Sequence, residues 1–388
     1  MRICLVSHSF YPAFYYGGPI SATNDLSKRL GNKGIEIYVS TTNANGSERL
    51  EVVPNKFINL HKNVKVKYYH EQIIYYLSIA FIFGLWNDIK KSDVVYIQYI
   101  FHYSVLLSLL YSWLLNKKII LCPRASLSPW GLSWKGKVSF FIKTLWLRIV
   151  IKPFLKNIKW QGCSYIENND IRLVFPDADC SEISDGVDVK SFNNHKEISY
   201  SDLVLKYTGE DFLNISDIVF SMGRLHEIKG FDILINAFYL VLLEKPNAKL
   251  LIAGSDDGCR SSLAKQIKTL HLENSVFLIG LVNHSQKAEL LANSTVFSLC
   301  SHTESFGIVV LESLACGTAV VVSDKTIWKD LEQKKCGIFT NNKKKKISEA
   351  ILRAIATKYD SRDCINYVKD NYDWSIVTHK FINLINKN

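Results

Sequence analysis

The stretch that decides the fold follows an apolar, strand-like run at residues 295–300. Its sequence is Glu304-Ser305-Phe306-Gly307-Ile308-Val309-Val310-Leu311-Glu312. The apolar residues of Ile308–Ala315 favour a helix that begins after Gly307 and carries Glu312 in its second turn. A strand, a loop and a helix in this order are the repeating unit of a parallel α/β sheet.

The loop and the start of this helix combine groups that suit a sugar nucleotide. The backbone N–H groups of Phe306 and Gly307 precede the helix, where unpaired N–H groups favour an anion such as a diphosphate. Glu304 and Glu312 lie on either side, and carboxylates accept hydrogen bonds from the hydroxyls of a sugar and a ribose. An N-capping Glu304 and an incidental surface Glu312 are the alternative interpretation.

A second stretch upstream also predicts a strand, a glycine turn and a helix. Its sequence is Phe220-Ser221-Met222-Gly223-Arg224-Leu225-His226-Glu227-Ile228-Lys229-Gly230. Arg224 offers a planar fork to phosphate oxygens and Lys229 a point charge, while Gly223 lets the backbone approach closely. Because acidic residues are few in this loop, we expect neither cation to be neutralised in place. The two stretches together predict a nucleotide-sugar site.

Strands and helices alternate along both halves of the chain, which predicts two doubly wound sheets. In the first half we predict strands at 2–7, 35–41, 64–69, 94–99 and 119–123, and helices at 20–31, 73–86, 104–115 and 138–156, the last kinked near Pro153. A polar segment at 189–214 separates the halves. In the second half we predict strands at 218–222, 249–254, 276–281, 295–300 and 319–323, and helices at 231–243, 261–270, 285–292, 308–315 and 347–357.

The chain resembles the glycosyltransferases of the GT-B architecture, specifically the retaining group called glycosyltransferase family 4. The resemblance covers most of the chain and rests on four segments in order: Gly17-Gly18-Pro19, Ile183-Ser184-Asp185-Gly186-Val187-Asp188, the segment 223–230, and the Glu-x7-Glu segment with Ala315-Cys316-Gly317. It implies an α/β fold with two facing Rossmann-like domains and a deep cleft between them. Residues 1–188 are expected to bind the acceptor and residues 189–373 the nucleotide sugar. A C-terminal helix at 374–388 is expected to pack back on the first domain.

The resemblance also implies a reaction. A sugar is expected to move from a UDP- or GDP-sugar to a growing, lipid-linked surface polysaccharide of the lipopolysaccharide or capsule type, with retention at the anomeric carbon. No metal ion or other cofactor is expected. By the same resemblance, Arg224 and Lys229 hold and neutralise the leaving diphosphate, Glu312 binds the ribose, Glu304 binds the transferred sugar, and Leu281 borders the base. The remaining expected donor contacts are Gly17, Gly18, Gly223, Ser305 and the N–H groups of Phe306 and Gly307.

Four positions of the first half are candidates on the acceptor side: His8, His102, Arg124 and Glu167. Arg124 lies in Pro123-Arg124-Ala125-Ser126-Leu127-Ser128-Pro129-Trp130, which resembles a segment of surface-polysaccharide members that has Gly at 125 and often His at 124. Since a guanidinium cannot accept a proton at neutral pH, we assign Arg124 to charge stabilisation. Glu167 matches an acidic position of the family. His8 and His102 follow predicted strands, and a structural histidine is the alternative for each.

The net charge of +11 is unevenly distributed, because residues 94–166 contain no Asp or Glu. The basic residues there are Lys117, Lys118, Arg124, Lys135, Lys137, Lys143, Arg148, Lys152, Lys156 and Lys159, with Trp113, Trp130, Trp134, Trp146 and Trp160 among them. Basic residues with interfacial aromatics suit an anionic membrane surface. A solvated basic face with core aromatics is the plainer alternative, and nucleic acid is a third that no motif supports. The uncharged run 94–115 is expected to be a buried strand and helix rather than a membrane span.

Composition narrows the remaining function classes. The chain has 388 residues, 48% hydrophobic and 21% charged, which fits two globular domains. Its nine cysteines lack a Cys-x-x-Cys pair and predict reduced core thiols. The sequence begins with a predicted strand at residues 2–7 and shows no signal-peptide pattern. We therefore expect a cytoplasmic protein that is peripheral on the inner face of the membrane. The turn at Gly17 and Gly18 lacks the Gly-x-Gly-x-x-Gly pattern, which argues against a nicotinamide dehydrogenase.

Two rival functions remain open. A GT-B nucleotide-sugar epimerase or phosphorylase needs a dedicated base or a lysine-bound cofactor, and no motif for such a lysine is visible. A non-catalytic subunit of a membrane glycan assembly is the third hypothesis. It is opposed by the presence of all four donor-site residues, Arg224, Lys229, Glu304 and Glu312.

Overall fold

The computed structural model describes residues 1–71, 77–134, 136–192 and 197–387. The chain forms two α/β units, Met1–Asp185 with Trp374–Asn388, and Gly186–Asp373. The boundary between the units lies after Asp185, whereas the sequence predicts it after residue 188. The polar segment at 189–214, expected to separate the halves, lies within the second unit.

The first unit is built on a mainly parallel, eight-stranded sheet. In chain order its strands and those of a small antiparallel hairpin are β1 (Arg2–Val6), β2 (Glu36–Thr42), the hairpin β3 (Ala44–Asn45) and β4 (Glu48–Arg49), β5 (Phe57–His61), β6 (Val64–Tyr69), β7 (Val94–Gln98), β8 (Lys118–Cys122), β9 (Ile158–Gly162) and β10 (Asp179–Glu182). The sheet order is β10-β9-β8-β7-β1-β2-β6-β5, and only β5 is antiparallel. All five residues of β7 are buried, as expected for a parallel strand covered on both faces.

The helices of the first unit connect these strands. They are α1 (Gly18–Asn32), α2 (Ile79–Lys90), α3 (Tyr103–Leu114), α4 (Pro129–Ser133), α5 (Gly136–Trp146) and α6 (Tyr165–Val174). The single helix predicted at 138–156 is wrong in part, because after α5 the chain forms a π-helical turn (Leu147–Ile151) and a 3₁₀ turn (Lys152–Asn157). Pro153 lacks the N–H group that a continuing α-helix requires. The first residues of the helix predicted at 73–86 lie outside the described part of the chain.

The second unit has a parallel six-stranded sheet in the order β13-β12-β11-β14-β15-β16. Its strands are β11 (Ile218–Met222), β12 (Lys249–Ala253), β13 (Val276–Gly280), β14 (Val296–Leu299), β15 (Val320–Ser323) and β16 (Gly337–Thr340). Its helices are α7 (Val189–Phe192), α8 (Tyr200–Thr208), α9 (Phe231–Glu244), α10 (Arg260–Thr269), α11 (His284–Ala292), α12 (Ile308–Ala315), α13 (Lys344–Ala356) and α14 (Ser361–Tyr372). This strand order is that of a Rossmann domain.

The last helix, α15 (Trp374–Asn386), belongs to the first unit. The ring of Phe381 packs against Tyr96 of β7 at 4.9 Å, and Lys159 Nζ donates to the Lys387 carbonyl at 2.7 Å. The nine cysteines, all in the described part, are free thiols. No helix among the described residues has the length and apolar character needed to cross a bilayer, and 94–115 forms the buried strand β7 followed by α3.

Candidate active site

The second sheet places the two predicted donor segments next to each other. The chain winds from β11 through β12 to β13 on one side and returns to β14 on the other, so β11 and β14 are neighbours at the point where the strand order reverses. Ligands of such sheets bind at the carboxyl ends of the strands at this point. The loop after β11 carries Arg224 and Lys229, and the loop after β14 carries Glu304.

Lys229 and Glu304 form an ion pair across these two loops. Lys229 Nζ donates to Glu304 Oε2 at 2.6 Å, and the hydroxyl of Ser301 donates to the same oxygen at 3.2 Å. The lysine stem crosses Gly223, where an added Cβ would lie 3.3 Å from Lys229 Cδ. The glycine therefore makes room for the lysine, in addition to any approach of a ligand.

The two other donor-site charges are paired as well. Arg224 forms an ion pair with Asp257, and Glu312 with Lys287. The expectation that the cations are not neutralised in place is therefore wrong. Asp257 follows β12 and Lys287 lies in α11, so each partner comes from another element of the fold. No spacing in the sequence pointed to either residue.

The structure places Glu312 in the second turn of α12 and Gly307 immediately before it, as predicted. Gly307 adopts a left-handed conformation (φ 82°), which a residue with a side chain rarely adopts. Within the described residues, the N–H groups of Phe306 and Gly307 donate to no protein acceptor. They are the orphan donors that a helix start offers to an anion.

The other donor candidates of this unit lie around the same strand ends. Leu281 follows β13 and is 75% exposed. Ser305 is half-buried. Gly254, at the end of β12, has no room for a side chain, since an added Cβ would lie 1.8 Å from the Gly223 carbonyl oxygen. This close approach of backbones keeps the carboxyl ends of β11 and β12 free of side-chain bulk.

The donor candidates of the first unit differ from each other in what their N–H groups can do. Gly17 has a left-handed backbone (φ 78°), and its N–H donates to the Phe14 carbonyl at 3.0 Å. The N–H of Gly17 is therefore already bonded within the protein, and the expected donor contact of Gly17 is not one that this N–H can make without losing that bond. Gly18 opens α1, and its N–H donates to no acceptor within the described residues.

Arg124 is buried inside the first unit and bound to its own neighbours. Its guanidinium donates to both oxygens of Asp185 at 2.7 and 2.9 Å and to Gln98 Oε1 at 2.7 Å. Burial lowers the pKa of this guanidinium, but the combined attraction of Asp185, Cys163, Cys122 and Tyr96 raises the net pKa well above its usual value. Arg124 thus stabilises the unit. To stabilise the charge of a reaction, as predicted, it would have to exchange Asp185 and Gln98 for a ligand.

Glu167 stabilises the turn that contains Arg124 and Ala125. Its two carboxylate oxygens accept hydrogen bonds from the N–H groups of Ala125 at 2.6 Å and Cys163 at 2.7 Å. Burial raises the pKa of this carboxyl group, and the two N–H donors counteract the rise. Both Arg124 and Ala125 have left-handed backbones (φ 53° and 64°). The glycine of the family segment is thus replaced by a strained alanine that Glu167 holds in place.

His8 and His102 come together at the carboxyl ends of β1 and β7, where the order of the first sheet reverses. Their ring centroids are 5.4 Å apart, and His8 also contacts Tyr16 and Tyr99. Burial lowers the pKa of His8 to about 4, so its imidazole is neutral at pH 7. His102 caps α3 by accepting a hydrogen bond from the Ser104 N–H. The cap is the structural role that the sequence left open for His102.

One group of side chains in the described residues has the spacing of metal ligands: Cys122, Cys163 and Glu167. Its chemistry opposes a divalent ion. Arg124 Nη1 lies 3.1 Å from Cys163 Sγ, and both oxygens of Glu167 already accept N–H groups. The thiols therefore belong to the core of the unit.

Comparison with known proteins agrees with this geometry. Residues 213–371, most of the second unit, match the family model described as glycosyl transferases group 1, so this part of the chain is similar to that group. An uncharacterized glycosyltransferase of Methanocaldococcus jannaschii is 41% identical over 106 residues, 27% of each chain. An N-acetylgalactosamine-N,N'-diacetylbacillosaminyl-diphospho-undecaprenol 4-alpha-N-acetylgalactosaminyltransferase of Campylobacter jejuni is 33% identical over 165 residues, 40% of this chain and 44% of that one. The chain thus spans less than half of the length of these relatives.

Solved structures extend the likeness to the whole chain at the level of fold. Anabaena HepE, solved with UDP-glucose, has a TM-score of 0.77 and 18% identity, with 99% of both chains covered. Two Rossmann-like domains of the GT-B glycosyltransferase fold are therefore established for this chain.

Proposed function

We propose that this protein transfers a sugar from a UDP- or GDP-sugar to a lipid-linked surface polysaccharide, with retention at the anomeric carbon. The observation that carries the proposal is the cluster at the strand-order reversal of the second sheet. There Lys229 and Glu304 form an ion pair beside the orphan N–H groups of Phe306 and Gly307. Cations, carboxylates and N–H donors in one place are what a charged sugar nucleotide needs.

Each charge of the cluster has a role in this proposal. Arg224 and Lys229 exchange their carboxylate partners for the oxygens of the diphosphate. Glu312 accepts the ribose hydroxyls, and Glu304 accepts hydroxyls of the transferred sugar. The ion pairs hold these side chains in place before the nucleotide arrives, and the exchange of partners is a cost of binding the diphosphate.

The proposed reaction proceeds by attack on the face that the nucleotide leaves. The bond between the anomeric carbon and the diphosphate oxygen breaks as the acceptor oxygen bonds to that carbon. The acceptor proton passes to the departing phosphate oxygen. Arg224 and Lys229 stabilise the charge that develops on the diphosphate, which is the term usually supplied by preorganised donors. We propose that this stabilisation needs no metal ion.

A lipid-linked acceptor is proposed from the Campylobacter relative, whose name specifies an acceptor carried on diphospho-undecaprenol and an α linkage. Acceptor binding is assigned to the first unit, around His8 and His102 at its own strand-order reversal. Family 4 membership, and a role in lipopolysaccharide or capsule synthesis on the cytoplasmic side of the membrane, belong to the same proposal.

Transfer is tested with purified full-length protein, radiolabelled UDP- and GDP-sugars, and a lipid extract of cells that make surface polysaccharide, with EDTA present. We expect label in the lipid fraction from one nucleotide class and an NMR coupling of the product that matches the donor anomer. Arg224→Ala should abolish the incorporation. A product with inverted anomeric configuration would contradict retention. Wild-type transfer that requires added Mg²⁺ would contradict the proposal that no metal ion is needed. No incorporation with any donor would contradict the reaction itself.

We further propose that the first unit docks on an anionic membrane surface through α5 and the π-helical turn after it. None of the residues of α5 is buried, although it is rich in apolar side chains. Val138, Phe141 and Ile142 are 74%, 68% and 60% exposed, and Ile149 of the π-helical turn is 63% exposed. A surface helix of a globular protein normally buries its apolar face.

The charges around this surface favour a membrane as the occupant. Lys137, Lys143 and Arg148 are interleaved with the exposed apolar residues, and no acidic residue occurs between 94 and 166. Each basic residue near an anionic bilayer contributes about 1 kcal/mol of attraction. The core-aromatic alternative is correct for Trp160, which is fully buried, whereas Trp113 is 55% exposed. Lys135 lies outside the described residues.

Vesicle flotation tests the docking surface. The protein should float with phosphatidylglycerol vesicles, less with phosphatidylcholine vesicles, and less in high salt. Phe141→Asp should abolish flotation, while Leu173→Asp, at an equally exposed leucine of α6 in the same unit, should leave it unchanged. Membrane docking would be refuted if both variants lost flotation equally. It would also be refuted if the wild type did not float and instead formed a salt-independent dimer that Phe141→Asp disrupts.

A further inference from the structure

We propose that Trp328 and Ser323 are positioning residues that hold the Glu304 loop in its productive conformation. This inference rests on the function proposed above and names residues outside the donor-binding set. Both lie after or at the end of β15, in the segment 323–330, which contributes none of the charges of the site.

Trp328 holds the C-terminal end of the Glu304 loop. Its indole Nε1 donates to the Phe306 carbonyl oxygen at 2.9 Å. The side chain is 1% exposed and packs against the Phe306 ring at 5.5 Å and the Tyr372 ring at 5.3 Å. A buried tryptophan N–H needs a partner, and here the partner is a backbone group of the active-site loop.

This hydrogen bond also fixes the direction of a donor. In a trans peptide the C=O and the N–H point in opposite directions. Because the Phe306 carbonyl points toward Trp328, the Gly307 N–H points away from it, and it donates to no protein acceptor among the described residues. Trp328 therefore orients an N–H that the proposed function assigns to the sugar nucleotide.

Ser323 holds the other end of the same loop. Its hydroxyl donates to the Ser301 carbonyl at 2.8 Å, and its side chain is fully buried. The residues between Ser301 and Phe306, including Glu304, are thus fixed at both ends by side chains of one neighbouring segment. Displacement of a reacting group by about 1 Å costs up to about a hundredfold in rate, so such supports matter for catalysis.

The test compares two single hydrogen-bond deletions in one aromatic cluster. Trp328→Phe removes the donor to the Glu304 loop but keeps an aromatic ring. Tyr367→Phe is the matched control, because it removes the hydroxyl that donates to Asp330 at 2.9 Å while its ring remains near Trp328 at 6.5 Å. We expect Trp328→Phe to lower kcat about tenfold with little change in the Kd for UDP. Tyr367→Phe should lower the thermal midpoint comparably and leave kcat unchanged. Ser323→Ala should lower kcat in the same sense.

Amide hydrogen exchange separates this inference from the proposed function. In the ligand-free protein, Trp328→Phe should accelerate exchange in the peptide that covers 301–307, and Tyr367→Phe should not. Unchanged exchange there, or an unchanged kcat, would overturn the positioning role. A wild type that transfers no sugar, with exchange behaving as expected, would instead refute the reaction while keeping the loop's support by Trp328.

Discussion

Glu304→Gln should separate nucleotide binding from sugar transfer, because in the free protein Glu304 pairs with the cation that we propose binds the diphosphate. The carboxylate pairs with Lys229 at 2.6 Å, with side-chain exposures of 14% for Glu304 and 21% for Lys229. An incoming diphosphate must take Lys229 away from this partner. The glutamine amide keeps the size of the side chain but offers only a neutral acceptor. The variant should therefore bind the diphosphate more tightly and transfer sugar more slowly.

The size of the effect follows from the two kinds of hydrogen bond. A hydrogen bond to a charged group contributes about 1.5–3 kcal/mol and a neutral one about 0.5–1.5 kcal/mol. Replacement of one by the other weakens the hold on Lys229 by about 1 kcal/mol, which corresponds to about a fivefold lower Kd for UDP. The same loss of charge removes a strong acceptor for a sugar hydroxyl, so kcat should fall at least about tenfold.

Calorimetric titration with UDP and a transfer assay measure the two quantities on the same preparations. Glu289→Gln is the matched control, since it neutralises another carboxylate of the same unit, which pairs with Lys206 at 2.6 Å. That variant should leave both quantities unchanged. In a Lys229→Met background, Glu304→Gln should no longer tighten UDP binding. Weaker UDP binding in Glu304→Gln alone would refute the competition for Lys229.

Three further outcomes are expected. Calorimetry should show that UDP binds more tightly than 2′-deoxy-UDP. Glu312→Gln should reduce the ratio of the two Kd values by up to about tenfold, because a charged acceptor for the ribose hydroxyl is lost. An unchanged ratio would show that Glu312 does not bind the ribose. In urea unfolding, Gly258→Ala should cost about 1–2 kcal/mol, because its φ of 95° is unfavourable for a residue with a side chain although the space around the Cβ is open. Gly254→Ala should cost about 3 kcal/mol or more, because its Cβ would also meet the Gly223 carbonyl at 1.8 Å. Equal costs would contradict the close approach. Burial lowers the pKa of His8 to about 4, so between about pH 6.5 and pH 4 the unfolded state binds a proton that the folded state does not. The free energy of unfolding should therefore fall by up to about 3 kcal/mol as the pH falls through this window. The idea is refuted if urea titrations give His8→Gln the same pH dependence of the unfolding free energy as the wild type.

The fold was predictable because its elements have regular local patterns. Apolar runs of parallel strands and the glycines at strand ends indicated both sheets, including the buried strand β7 where an uncharged run of membrane-spanning length occurs. Strands β5, β9, β10 and β16 of the two sheets and the hairpin strands β3 and β4 were not predicted. β5, β9 and β10 mix polar residues with apolar ones, and β10 has no buried residue. A kink near Pro153 was predicted for the helix at 138–156, whereas α5 ends at Trp146 and a π-helical turn precedes Pro153. That turn depends on packing that no local pattern records.

The positions of the four charged candidates at strand ends and a helix start were predictable, but their ion-pair partners were not. Arg224, Lys229, Glu304 and Glu312 are each marked by a glycine turn or a helix start close in sequence. Asp257 and Lys287 pair with them from other loops, at separations set by the winding of the sheet rather than by local spacing. Trp328 shows the same limit, since its hydrogen bond to Phe306 spans 22 residues.

A thermal-shift panel with UDP, GDP, ADP, CMP and NAD, all in EDTA, tests most directly that the second unit is a metal-free nucleotide-sugar site. A ligand that binds only the folded state adds about 2.7 kcal/mol of stability at a hundred times its Kd, which is readily detected. UDP or GDP alone should raise the midpoint in the wild type, and Arg224→Ala should remove the shift. A shift with none of the five ligands, or with NAD alone, would contradict the account.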